Sequence, residues 1–154
     1  MRPDSADPGL PPVAALLRRP AVLVGHEVMA SLRDAGFSDV LRAHLGVFQY
    51  PGPDGLRPQE LASRTMASKQ AMNHLLHQLE SGGYLFREPH PQDRRLRVVR
   101  LTERGRAAAA VIRETVAKQD VEWRRALGHD TYAVLARTLE QLHGVLETRA
   151  STRR

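Results

Sequence analysis

The segment LASRTMASKQAMNHLLHQLESGG, Leu61–Gly83, decides the fold. Ser68 has the small oxygen-bearing side chain that accepts a bond from the free N–H groups of a first helical turn. From Lys69 onward, Ala71, Met72, Leu75, Leu76 and Leu79 recur at helical spacing on one side. The opposite side carries Lys69, Gln70, Asn73, His74, His77 and Gln78. Gly82-Gly83 then supplies the left-handed residue that closes a helix. Upstream, Pro58 suits a first-turn position, and Glu60 and Leu61 continue a short helix up to the tight connection Thr65-Met66-Ala67. Two helices joined so tightly, the second capped and polar on its outer face, form a helix-turn-helix.

Downstream, Tyr84-Leu85-Phe86-Arg87 and Leu96-Arg97-Val98-Val99-Arg100-Leu101 are short and β-prone. The polar loop Pro89-His90-Pro91-Gln92-Asp93 and the arginines after it separate them, so a hairpin wing is expected. Thr102 and Glu103 open a long helix ending near Trp123 or Leu127. Gly128-His129-Asp130 breaks it, with Asp130 as the expected cap, and a last helix carries Leu135, Leu139, Leu142 and Leu146. Before the helix-turn-helix, apolar spacing predicts one helix from Val13 to about Asp34. Pro20 would kink it or mark where its order begins, and Ala35-Gly36 ends it. A second helix is expected from Ser38, with Val40, Leu41, Leu45 and Phe48 on its apolar side. The fold class is mainly α with a small β-hairpin wing, a winged helix-turn-helix flanked by dimerisation helices. The expected division is a disordered arm 1–12, supporting and dimerisation helices 13–50, the winged helix-turn-helix 51–106 and C-terminal dimerisation helices 107–150. All would belong to one intertwined structural domain.

Charge agrees with this division. The chain has 154 residues and a net charge of +6. Leu56–Arg106 holds ten basic and five acidic residues, so this third of the chain carries +5 of the total. A localised excess is the electrostatic footprint of a nucleic-acid partner. All basic residues except Lys69 and Lys118 are arginines, whose planar guanidinium matches phosphate and base edges bidentately.

Side-chain chemistry sharpens the expectation. Ser68 and Lys69 sit at a helix start, where N–H groups and positive charge suit a phosphate. Gln70 and Asn73 are built to bond adenine bidentately, and His74 or His77 can donate to guanine. Arg94 and Arg95 at a hairpin tip suit the negative potential of a narrow minor groove. Asp93, two residues before Arg95, is placed to pair with it. A solvated polar helix and a solvated charged turn are the simpler alternatives, weakened because the two motifs adjoin.

Leu61–Gly83 together with PHPQDRRLRVVRLTERGRA, Pro89–Ala107, resembles the MarR family of winged-helix regulators, the DRR turn followed by LTERG being the most specific part. The resemblance implies a homodimer whose first and last helices interlock over a pseudo-palindromic double-stranded DNA site. It also implies that Asp93 and Arg95 form the wing pair and that Asn73, His74 and His77 face the bases. Two departures stand out. His74 occupies a position where the family often has Arg, and Thr65-Met66 replaces a common Leu-Gly.

Other chemistry has less support. His26, His44, Tyr50 and Trp123 are candidates for lining the pocket of a small aromatic or phenolic effector, although ordinary packing is the simpler reading for each singly. His74 and His77 have metal-ligand spacing, but no third ligand has a place beside them, so no metal and no cofactor are expected. With no cysteine, a thiol switch or thiolate zinc site is excluded. No nucleophile constellation, phosphate loop or dinucleotide fingerprint appears, so an enzyme is not expected. No apolar run approaches the ~20 residues of a membrane span. Pro3 and Asp4 interrupt any signal-peptide start, so a cytoplasmic protein is expected. The competing readings are a winged-helix module for protein or RNA, or a ligand-binding protein without specific DNA reading.

Overall fold

The computed structural model describes residues 11–48 and 52–152. Helix α1 spans Val13–Asp34, α2 Pro58–Arg64, α3 Lys69–Ser81, α4 Glu103–Leu127 and α5 His129–Thr152. Strands β1, Leu85–Pro89, and β2, Arg97–Leu101, form an antiparallel hairpin with Leu85 opposite Leu101 and Arg87 opposite Val99. The chain is therefore mostly helical with a two-stranded wing. Its contacts divide it between Val116 and Ala117 into two compact units.

In the first unit, local chemistry sets each boundary. Pro58 is the first residue of α2, and Glu60 reaches back to accept the Arg57 N–H at 2.7 Å. Ser68 Oγ accepts the Ala71 N–H at 3.1 Å and caps α3. At the other end Gly83 takes φ +73°, while Tyr84 N–H bonds Leu79 O and Gly83 N–H bonds Glu80 O, each at 2.9 Å. This is the Schellman closure, which uses carbonyls the helix leaves free. Thr102 caps α4: its Oγ1 accepts the Gly105 N–H at 3.0 Å and donates to Gly83 O at 2.6 Å.

The core lies where α1, α3 and the hairpin meet. Leu32, Met72, Leu76, Leu79, Tyr84, Val99 and Ala108 are buried in one cluster. Burying a leucine such as Leu76 contributes about 1.5–3 kcal/mol. The free edge of β2 is covered: Gly55 N–H bonds Val99 O at 2.7 Å, Val99 N–H bonds Leu56 O at 2.8 Å, and Asp54 accepts the Leu101 N–H at 2.8 Å. A second tie joins the turn after α1 to the start of α4. Tyr84 Oη donates to Asp39 Oδ1 at 2.5 Å, and Arg104 Nη2 bonds both Asp39 oxygens at 2.9 and 3.0 Å. The Arg104 guanidinium also stacks on the Tyr84 ring, 4.5 Å from its centroid.

Several expectations change. Ser38 does not start an α-helix. Residues 38–41 are irregular, and a single 3-10 turn, Arg42–Gly46, follows. His44 is turned inward, accepting the Leu41 N–H at Nδ1 (3.1 Å), so its protonated Nε2 donates to Gln78 Oε1 (2.9 Å). Leu41, expected on the apolar side, is exposed, while Val40, His44, Val47 and Phe48 are buried. Packing around the imidazole thus overrides helical spacing. Ala71 is exposed, and Gln78 belongs to the interior network rather than to the outer face of α3. The strands are displaced slightly: Tyr84 precedes β1 and Leu96 belongs to the loop. Pro20 lies inside a helix that already begins at Val13.

In the second unit, the end of α4 and α5 are separated by Gly128 at φ +79°. Asp130 lies in the first turn of α5 instead of capping it, and Gly128 O accepts the Tyr132 N–H at 3.1 Å. No described residue from Ala117 onward is buried, and Val121, Leu127, Val134, Leu135, Val145 and Leu146 are exposed apolar residues.

Candidate nucleic-acid interface

The outer face of α3 presents Lys69, Gln70, Asn73, His74 and His77, all exposed. Ser68, at the cap, is exposed as well, although its hydroxyl already serves the helix. The wing tip holds Asp93, Arg94 and Arg95, also exposed. Its turn closes through Leu96 N–H on Asp93 O and His90 N–H on Leu96 O, both 2.9 Å. Asp93 does fix Arg95, but through the main chain: Oδ1 accepts the Arg95 N–H at 3.0 Å. The expected side-chain pair does not form, and the Arg95 guanidinium has no ion partner among the described residues.

Helix and wing enclose a basic cleft of about 380 Å³, to which Arg57, Lys69, Asn73, Arg87, Arg95 and Arg97 contribute. Two of its cations are neutralised internally: Arg57 pairs with Glu60 at 3.2 Å, and Arg87 with Glu80 at 3.0 Å. Lys69, Arg95 and Arg97 have no ion-pair partner among the described residues. The local excess of charge is therefore available to an external anion. Arg100, by contrast, is spent on Glu88 at 2.6 Å. Arg57, Arg87 and Arg97 belong to the basic stretch of the sequence, but nothing in their spacing joins them to Lys69; the fold does, bringing the start of α2 and the hairpin to α3.

The effector candidates are scattered. His26 is exposed on α1. His44 is buried with both ring nitrogens engaged. Trp123 is half-buried in the second unit, and Tyr50 lies outside the described residues. Among the described residues no group of three or more His, Asp or Glu could hold a metal ion, and no helix is long and apolar enough to cross a membrane.

Residues 44–96, from the 3-10 turn to the wing tip, match the MarR family profile. No curated protein matches the chain in sequence. Among solved structures, a transcriptional regulator from Thermotoga maritima is 29% identical with a TM-score of 0.55, the match covering 91% of this chain and 97% of that one. A MarR family protein of Mycobacterium tuberculosis, solved with salicylic acid, is 28% identical with a TM-score of 0.61 over 87% and 98% of the two chains. FabT of Streptococcus pneumoniae, solved in complex with DNA, shares the fold at 22% identity, with a TM-score of 0.72 over 88% and 96%. The wing and the capped α3 agree with the match: residues 44–96 are similar to the MarR family of winged helix-turn-helix regulators, and the chain as a whole is similar to solved transcriptional regulators.

Proposed function

We propose that this protein is a sequence-specific, DNA-binding regulator acting as a homodimer on a pseudo-palindromic operator. The observation that carries the reading is the continuity of the α3 polar face with the basic cleft and the arginine-tipped wing, all within one compact unit. In this reading α3 enters the major groove, where Gln70, Asn73, His74 and His77 meet base edges. Ser68 and Lys69 meet phosphate at the helix start, and Arg94 and Arg95 enter the adjoining minor groove. Asp93 acts by shaping the turn that carries them.

A second copy is the partner proposed for the exposed apolar side chains. Leu16, Leu17 and Leu23 of α1 and Leu135 and Leu146 of α5 are exposed, and a helical pair with no buried residue lacks a core of its own. The effector is proposed to be a small aromatic or phenolic molecule, supported by the M. tuberculosis relative solved with salicylic acid. The working compartment is proposed to be the cytoplasm, where operator DNA is.

Selection from random duplexes at moderate salt tests the reading. Enrichment of an inverted repeat supports it, and enrichment of no sequence defeats it in favour of a protein- or RNA-binding module. Sedimentation should give twice 17.2 kDa, and a monomer at micromolar concentration would defeat the dimer. Footprinting on the protein's own upstream DNA, with and without a panel of aromatic acids, tests the effector.

A further inference from the structure

Arg87 stands in the middle of β1, opposite Val99. Its guanidinium leaves the hairpin and spans two turns of α3. Nη2 lies 3.0 Å from Glu80 Oε2, and Nη1 donates to Asn73 Oδ1 at 3.3 Å. Asn73 and Glu80 are seven residues apart, hence on the same side of the helix. The Nε of Arg87 is buried and has no partner among the described residues, so the grip rests on the two Nη groups. A guanidinium has donors only, and this decides which end of the Asn73 amide it holds: the carbonyl oxygen. Asn73 is exposed, so the bond adds little to the core. Its consequence is orientation.

We infer that Arg87 is a specificity-determining positioning residue, which occupies the Asn73 carbonyl and leaves the amide NH2 as the group presented outward. The inference rests on the DNA reading proposed above and refines it. Free asparagine pairs with adenine bidentately, accepting from N6 and donating to N7. With one lone pair of its oxygen held by Arg87 and that oxygen turned toward the wing, Asn73 presents chiefly its NH2 donors. Guanine, whose N7 and O6 both accept, becomes the better partner, and adenine N6–H2 meets only an oxygen already engaged by Arg87. Glu80 is the anchor that keeps the guanidinium in place. A recognition residue on the helix is thus set by a side chain from the wing.

The test compares full-length wild type, Arg87→Leu, Glu80→Gln, Asn73→Ala and the Arg87→Leu/Asn73→Ala double variant by selection from random duplexes, followed by affinities on the selected operator. Expected for wild type is one position in each half-site with guanine over adenine by about tenfold, within the range of one good base contact. Asn73→Ala makes that position indifferent. Arg87→Leu turns it toward adenine, Glu80→Gln moves it the same way to a smaller extent, and the double variant behaves as Asn73→Ala. If Arg87→Leu does not fold, Glu80→Gln, which leaves the strand intact, carries the comparison. Adenine already preferred in wild type at the Asn73 position would overturn the inference. So would the same base preference in wild type and the variants, with only a uniform loss of affinity. Wild type enriching no sequence overturns the DNA reading, and this inference with it.

Discussion

Gly105 packs so tightly against Tyr84 that a Cβ built on it would lie 1.8 Å from the Tyr84 carbonyl oxygen. The same carbonyl accepts the Thr102 N–H at 3.0 Å, so it cannot retreat without losing the start of α4. Gly105→Ala therefore has no small adjustment open to it, since the obstacle is backbone rather than a flexible side chain. Overpacking of this kind costs about 1–3 kcal/mol, and the upper end is expected here. Urea unfolding should show a lowered midpoint with an unchanged slope. A Gly105→Ala midpoint equal to that of wild type would refute the packing.

Met66, in the turn between α2 and α3, sits at φ +54° and is 84% exposed. A left-handed conformation costs a residue with a Cβ roughly 1–2 kcal/mol, and no packing around Met66 offsets it. Glycine removes that cost but gains freedom in the unfolded chain, which returns about half of the benefit. Met66→Gly is thus expected to stabilise by about 0.5–1 kcal/mol, and Met66→Val, with its branched Cβ, to destabilise. Thermal unfolding of both variants checks the sign, and a lower Tm for Met66→Gly would contradict the argument.

The contrast between these sites shows what was legible beforehand. The helix-turn-helix and wing could be read because each is written locally: Ser68 caps, Gly83 closes, Pro58 starts, and apolar spacing fixes the buried side of α3. The 3-10 turn after Asp39 could not. Its helical pattern is overridden by a bond from His44 to Gln78, 34 residues away. The Asp39–Tyr84–Arg104 tie was equally silent, since its members are separated by 45 and 20 residues. At the interface, residue types on α3 were readable from sequence. Their couplings were not: Asp93 to the Arg95 main chain and Arg87 to Asn73 both depend on where the hairpin lands.

The Asp39–Tyr84–Arg104 tie predicts stability at both pH limits. The Tyr84 hydroxyl, with Arg104 adding to it, holds the Asp39 carboxyl below its ordinary 3.8. A lowered folded value means that the contribution is present above about pH 4 and is lost as the pH falls through the folded value. Tyr84 shifts upward, first through burial and then through Asp39, so its contribution is present below about pH 10 and is lost as the pH rises through the raised value. Asp39→Asn should flatten the acid limb of the stability profile and Tyr84→Phe the alkaline limb. At pH 7 Tyr84→Phe should cost about 1 kcal/mol, a typical net hydrogen bond, because its ring stays buried. Denaturant midpoints measured from pH 3 to 11 check both limbs, and parallel profiles for wild type and variants would exclude the coupling.

Arg95 and Asp93 should part company in a salt titration of operator binding. Arg95 carries at the wing tip a guanidinium with no ion partner among the described residues, whereas Asp93 holds the turn that carries it. If the wing enters DNA as proposed, Arg95→Ala removes one cation from the contact, so affinity should fall and the slope of log K against log salt should become shallower by about one. Asp93→Asn keeps an oxygen that can accept the Arg95 N–H, so the turn survives and the slope should hold. It also removes a negative charge near the phosphates, which should raise affinity slightly at low salt. Asp93→Ala loses the turn bond as well, leaving Arg95 present but unaimed: affinity should drop toward that of Arg95→Ala. If Asp93→Ala binds as tightly as wild type, the main-chain bond at 3.0 Å does not position the wing.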